Sequence, residues 1–352
     1  MDLPMDLSTV QAAASRIYVP GGCVKTPVHT SSLISAAAGV SAFFKCEHLQ
    51  RTGSFKFRGA MSAVSEVALL GPETSAKGVV AQSSGNHGAA VSAAAEAFGL
   101  PCTVVVPSTT PAAKQDNVTR YGATLVLCEP TQKARVDAAA REAGRMGGAA
   151  LVHPYNDDPV IAGQGTIGLE LMEQVPGLDA ILVPVSGGGM ITGIALAAKG
   201  LDPGVRVIAV EPEGKRLQEA LETGRRVVDE GTGGRMLDTI CDAIRTQPLG
   251  PRAWELNLEK KLLHPEVLSI SDDEVRAAMC LTMSELKQSV EPAGAIALAG
   301  LLSPAFRELR AREESGGRPI RKVAVVICGG NADLGVVAGH IQKHQEAAGK
   351  GS

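Results

Sequence analysis

The feature that most constrains this chain is a regular alternation along its length. Short runs that are apolar throughout are separated by alanine-rich stretches of helical length. "KGVVAQ" (77–82) leads to "GNHGAAVSAAAEAFG", "CTVVVP" (102–107) to "AAKQDNVTRYG", and "TLVLCE" (124–129) to "QKARVDAAAREAGRMG" and then "ALVHP". Further on, "GTIGLELMEQV" is followed by "DAILVPVSGGG", "MITGIALAAKGL", "RVIAVEPE" and "RLQEALETG". A strand with no polar face is buried on both faces, which is the condition of a parallel sheet covered by helices. The alternation therefore predicts an α/β protein of twisted parallel sheets with right-handed crossovers.

In such sheets ligands bind beyond the carboxyl ends of the strands. Three glycine-rich loops fall at those ends: "SSGNHG" (83–88), "SGGGM" (186–190) and "CGGN" (328–331). Their placement predicts a single convergent site.

Charge and composition exclude other classes. The formal net charge is −3 and aromatics make up 3% of the chain, so neither a basic face nor a base-stacking platform for nucleic acid is expected. The apolar runs are too short to cross a bilayer, and "MDLPMDLSTVQ" has no basic leader character, so no membrane partner is expected. The seven cysteines are scattered, odd in number and without a C-x-x-C pair, as in reduced cytoplasmic proteins.

The loops carry the chemistry. Three consecutive glycines at 187–189 let backbone N–H groups converge just where a helix opens, which suits a phosphate. "GQGTIG" (163–168) spells the dinucleotide fingerprint but follows the polar turn "HPYNDDPVIA" instead of a strand, so it does not predict a nicotinamide cofactor; its glycines are expected to let a helix start close to neighbouring backbone. "SSGNHG" reads as a helix N-cap whose remaining N–H groups can meet a carboxylate. "SFKFRGA" (54–60) sets Lys56 between Phe55 and Phe57. That pattern fits a surface strand with its phenylalanines turned inward. It also fits a desolvated lysine whose lowered pKa makes it an amine able to attack carbonyls. An aldehyde-seeking amine together with a phosphate cradle is what pyridoxal phosphate requires.

"TGSFKFRGA", "SSGNHG", "IAGQGTIGLE", "VPVSGGGM", "SVEPAGA" and "CGGNADL" occur in the order and approximate spacing of the fold-type II pyridoxal-phosphate enzymes. Over residues 15–335 the chain resembles their serine racemase and serine/threonine dehydratase branch, plant-like members included. The resemblance implies that Lys56 is the Schiff-base lysine and the base on one face of the substrate Cα. It further implies that Phe55 flanks the pyridine ring and that Asn86 bonds its 3′ oxygen. Ser186, Gly187, Gly188, Gly189 and Met190 would hold the phosphate, and Cys328 would face the ring nitrogen, leaving it neutral. Ser83, Ser84, Asn86 and His87 match the loop that receives the substrate carboxylate, and Arg135 matches an arginine that closes over it.

Ser84 bears on the activity. The dehydratase branches usually read S-A-G-N in that loop, whereas a hydroxyl at position 84 supplies a proton carrier for the second face of Cα. The resemblance thus implies a pyridoxal-phosphate racemase interconverting L- and D-serine through an aldimine and a Cα carbanion, with β-elimination of serine to pyruvate and ammonia. A dedicated L-threonine/L-serine ammonia-lyase is the alternative, supported by Cys328.

The chain also departs from the family pattern. The divalent-metal site of these enzymes pairs a glutamate, here Glu211, with an aspartate six residues on, where this chain has Leu217. With one carboxylate lost and Lys215 and Arg216 adjacent, Mg2+ is expected to have little hold on Glu211. Tyr155 stands where animal racemases have Asn. The resemblance also implies a large cofactor domain (1–75 and 158–352), a small mobile domain (76–157) and a homodimer.

Overall fold

The computed structural model describes residues 5–83, 85–228 and 236–349. Two sheets organise the chain. In the first, β1 (Val28–Thr30) and β2 (Ser41–Cys46) pair antiparallel at one edge. The second contains β3 (Val79–Gln82), β4 (Cys102–Pro107), β5 (Thr124–Cys128) and β6 (Ala150–Leu151), all parallel, in the order β5-β4-β3-β6. The chain then returns to the first sheet with β7 (Ala180–Pro184), β8 (Arg206–Pro212), β9 (Val267–Ile270) and β10 (Lys322–Ile327), giving the order β1-β2-β10-β7-β8-β9. Every pairing there except β1 with β2 is parallel. The expected α/β architecture is present.

The apolar strands are the central ones. All five residues of β7 are buried, as are the last five of β10. Helix Pro292–Leu302 (PAGAIALAGLL) is apolar on every side because almost every side is covered, and it packs against β7, β8 and β10. Proline at its start removes an N–H that would have had no partner within the helix.

The expectation that the fingerprint-like glycines 163, 165 and 168 open a helix does not hold: they lie inside the long helix Asp158–Gln174, although the expected close approach to neighbouring backbone is present. Their reason is packing. A Cβ on Gly165 would stand 2.8 Å from the Gly193 carbonyl oxygen, and one on Gly168 would stand 2.8 Å from that of Ile194. Missing side chains let this helix lie directly on helix Gly189–Leu201.

Lys56 opens the helix Lys56–Leu69, so the strand alternative for "SFKFRGA" does not hold. A helix turns about 100° per residue. Phe57 is accordingly carried into the core, fully buried, while Phe55 and Lys56 remain at a cavity.

Candidate active site

The carboxyl ends of β3, β7 and β10 meet at a cavity of about 350 Å³, a size suited to a small ligand. Phe55, Lys56, Ser83, Asn86, His87, Arg135, Ser186 and Cys328 all line it. Gly187, Gly188, Gly189 and Met190 line an adjoining hollow that shares Lys56, Phe55 and Ser186. Three loops separated by up to 245 residues between Ser83 and Cys328 thus converge, as their places at strand ends predict. Ser84 lies outside the described residues. Glu211 is not part of the cavity lining.

Lys56 Nζ donates to the Pro154 carbonyl oxygen at 2.6 Å. The rings nearest it are Phe55, 5.1 Å from the amine to the centroid, and Tyr155 at 6.0 Å. The second ring is therefore supplied from a distant loop and not by Phe57. Burial removes water from the ammonium and pulls its pKa down to about 8, so about a tenth is free amine at pH 7, far more than for an ordinary lysine.

The glycine loop follows β7. Gly188 has φ +91°, a left-handed conformation that side chains resist, and it caps the helix Gly189–Leu201. A Cβ on Gly187 would lie 2.4 Å from the Tyr155 ring, and one on Gly189 would lie 2.5 Å from the Tyr155 carbonyl oxygen. Only glycines fit where Tyr155 closes over the loop. The first N–H groups of the helix have no partner within it and carry its positive end, so the hollow is suited to an anion.

Asn86 is fixed on two sides. Its Nδ2 donates to Glu291 Oε1 and Oε2 at 3.0 and 3.2 Å, and its Oδ1 accepts from Asn331 Nδ2 at 2.8 Å. Burial raises Glu291 to about 7. Glu291 and Asn331 fall within the motifs "SVEPAGA" and "CGGNADL", but the sequence assigns neither a role; the further signal for Glu291 is an acid placed directly before a proline-initiated, wholly apolar helix. The His87 ring is held by Val152, whose carbonyl oxygen is 2.9 Å from Nε2, and desolvation lowers it to about 3, so it is neutral. Ser83 Oγ accepts from the Gly85 N–H at 3.2 Å.

Cys328 Sγ donates to the Ala293 carbonyl oxygen at 3.2 Å, and burial holds its pKa well above the ordinary thiol value. It is a neutral thiol. Arg135 lies on helix Gln132–Arg145, bonded to Gln132, with its head at the cavity wall. Lys114 and Asp242, also in the wall, form an ion pair at 3.1 Å. The carboxylate of Glu211 is buried and accepts the Leu217 N–H at 3.2 Å.

The family model for pyridoxal-phosphate dependent enzymes matches residues 19–329. The chain belongs to the pyridoxal-phosphate dependent enzymes. It is 42% identical over 332 residues to serine racemase of Arabidopsis thaliana, with 94% of each protein covered. It is 40% identical over 311 residues to beta-hydroxyaspartate dehydratase of Paracoccus denitrificans, covering 88% of this chain and 91% of that protein. Among solved structures, maize serine racemase matches with a TM-score of 0.86 and 37% identity, covering 98% and 99% of the two chains. The cavity of this pyridoxal-phosphate enzyme fits the cofactor: it offers a desolvated amine for an aldehyde and, beside it, a glycine cradle at a helix start for a phosphate.

No helix among the described residues is long and apolar enough to cross a membrane.

Proposed function

We propose that this enzyme interconverts L- and D-serine and, in competition, eliminates water from serine to give pyruvate and ammonia. The observation that carries this reading is one cavity joining Lys56, the glycine loop and Asn86 in a chain 42% identical, over 94% of its length, to a serine racemase. When bound, pyridoxal phosphate supplies the electron sink that makes the α-proton of an amino acid removable.

The chain's own residues do the rest. Ser186, Gly187, Gly188, Gly189 and Met190 hold the phosphate through backbone N–H groups. Phe55 would lie beside the cofactor's ring and Asn86, its amide held in place by Glu291 and Asn331, would serve as the hydrogen-bond partner of its 3′ oxygen. Cys328, kept as a thiol by burial, would leave a facing ring nitrogen neutral. Lys56 Nζ holds and moves the proton on one face of Cα, and Ser84 Oγ does so on the other; the two exchange roles with direction. Ser83, Ser84, Asn86 and His87 receive the substrate carboxylate. His87 contributes its backbone N–H, since its Nε2 is engaged by Val152. Arg135 closes over the same carboxylate as a forked partner.

Residues 1–75 and 158–352 form the large domain and residues 76–157 a small mobile one whose closure expels water from the site. The protein works as a homodimer in the cytoplasm, where its seven free cysteines remain reduced. A second reading, a dedicated L-threonine/L-serine ammonia-lyase, is favoured by the thiol of Cys328.

The deciding experiment incubates the protein with L-serine and L-threonine and follows D-serine by chiral chromatography and 2-oxo acids by a coupled assay. The parent is expected to form D-serine, and Ser84→Ala to lose D-serine while still forming pyruvate. Pyruvate or 2-oxobutyrate without any D-serine from the parent transfers the assignment to the ammonia-lyase.

A further inference from the structure

Lys215 is 1% exposed and takes no part in the lining of the cavity. Its Nζ donates to three backbone carbonyl oxygens: Ser186 at 2.8 Å, Thr246 at 2.6 Å and Gln247 at 2.6 Å. A neutral amine has two protons to donate, whereas an ammonium has three, so three acceptors call for the charged form. Burial opposes that charge, and the buried carboxylate of Glu211 supports it. A cation is thus held inside the protein, at the cost of its solvation, by carbonyls from two separate segments.

What those carbonyls belong to gives the arrangement its purpose. Ser186 leads into the glycine loop, and its peptide with Gly187 is planar and trans, so fixing the carbonyl also fixes the Gly187 N–H on the opposite side. Thr246 and Gln247 precede the helix Pro251–Lys260, and Gly250 of the same segment returns an N–H to the Gly187 carbonyl oxygen at 2.9 Å. Both ends of the Gly187 unit are therefore fastened to one shelf.

We propose that Lys215 is a positioning residue, a built-in cation that sets the glycine loop for the cofactor's phosphate where a bound metal ion would otherwise be needed. The proposal rests on the assignment of Ser186–Met190 to that phosphate. The local groups do not fit a divalent metal. A hard cation seeks six or more oxygens. Here the carbonyls are taken by an ammonium, Glu211 is a lone carboxylate, and Leu217 offers no side-chain oxygen. Among the described residues no group of three or more His, Cys, Asp or Glu could hold a metal ion.

The test removes the cofactor from the purified enzyme and titrates it back, following the visible absorbance that develops as the aldehyde joins Lys56. Pyridoxal phosphate and phosphate-free pyridoxal are compared, with Mg2+ and with a chelator. The proteins are the parent, Lys215→Met, Gly188→Ala, and Glu211→Gln/Lys215→Met, which removes both buried charges should the single variant not fold. The parent is expected to bind pyridoxal phosphate equally well with Mg2+ and with chelator. Loss of Lys215 should weaken pyridoxal phosphate at least about tenfold while leaving pyridoxal within about twofold.

Unchanged affinity for pyridoxal phosphate in a folded Lys215 variant overturns the proposal. So does an equal loss for both aldehydes, which marks a merely structural role, or a parent whose affinity rises with Mg2+. Should neither Lys215 variant fold, the parent's response to Mg2+ and chelator still decides. If Gly188→Ala leaves the preference for the phosphorylated aldehyde intact, the phosphate assignment of the loop fails. If Gly188→Ala removes that preference and Lys215→Met does not, the role of Lys215 alone falls.

Discussion

Glu291 faces Asn86 at the cavity with both carboxylate oxygens within hydrogen-bond reach of the amide, yet no cation pairs with it among the contacts of the described residues. Desolvation raises its pKa from the ordinary 4.5 to about 7. The folded protein therefore keeps a proton on Glu291 that the unfolded chain releases. This stabilisation is fully present below about pH 4.5 and is lost as the pH rises through about 7. In cofactor-free protein the effect is worth at most about 3 kcal/mol across that window. Glu291→Gln should remove it, so the thermal midpoint of the variant should fall less steeply between pH 5 and pH 7 than that of the parent, on the order of a few degrees. Parallel melting curves across that range would refute it. The residues of the site were unequally legible. Lys56 and the three glycines announce themselves through the company they keep, a lysine beside aromatics and N–H groups bunched at a strand end. Glu291 and Asn331 act on Asn86 through contacts made more than 200 positions away in sequence, which no local pattern records.

The helix that begins at Lys56 is anchored by its third residue. Arg58 is wholly buried and reaches Glu47 Oε2 at 2.7 Å and Glu170 Oε1 at 2.6 Å, while Lys45 meets Glu170 Oε2 at 2.5 Å. Two cations and two carboxylates balance, and they join the lysine helix to the 3-10 turn Glu47–Leu49 and to helix Asp158–Gln174. Removing one member leaves a buried charge without its partner. Arg58→Met should cost about 3–5 kcal/mol in urea unfolding with an unchanged slope, and Arg58→Lys should not restore it, because one ammonium cannot replace a forked guanidinium. A loss below about 1 kcal/mol would show that the network is dispensable. At this scale the sequence reads well where period and polarity agree, as in β3, β4, β7 and β10. It reads poorly at β1, whose three residues are too few to show alternation, and at helix Pro292–Leu302, where burial all round erases the polar face that marks a helix. Lys45 in β2 and Arg58 look like surface charges in sequence, since the carboxylate they share, Glu170, lies more than 100 positions away from both.

Both sheets contribute to the cavity wall, so how firmly their elements stay together governs access to it. Lys114, from helix Ala112–Thr119 beside β5, meets Asp242, from the turn Asp242–Ile244 in the chain between β8 and β9, at 3.1 Å. Their side chains are 45% and 54% exposed, so water and salt screen the pair, and it contributes at most about 1 kcal/mol to stability. Its value lies in where it acts. On the proposed division into a large and a small mobile domain, this contact spans the two and favours the closed state. Such a bias weakens with ionic strength as the screening length shrinks. The KM of the parent for L-serine should therefore rise as NaCl is added. Lys114→Met should start with a raised KM and show little further dependence on salt, with kcat less affected and the unfolding midpoint within about 1 kcal/mol of the parent. KM measured against NaCl at fixed pH for both proteins decides the matter. If the variant keeps the parent's KM and the parent's salt dependence, the ion pair does not govern closure, and the two walls are held together by their other contacts, the Asn86 hydrogen bonds to Glu291 and Asn331 among them.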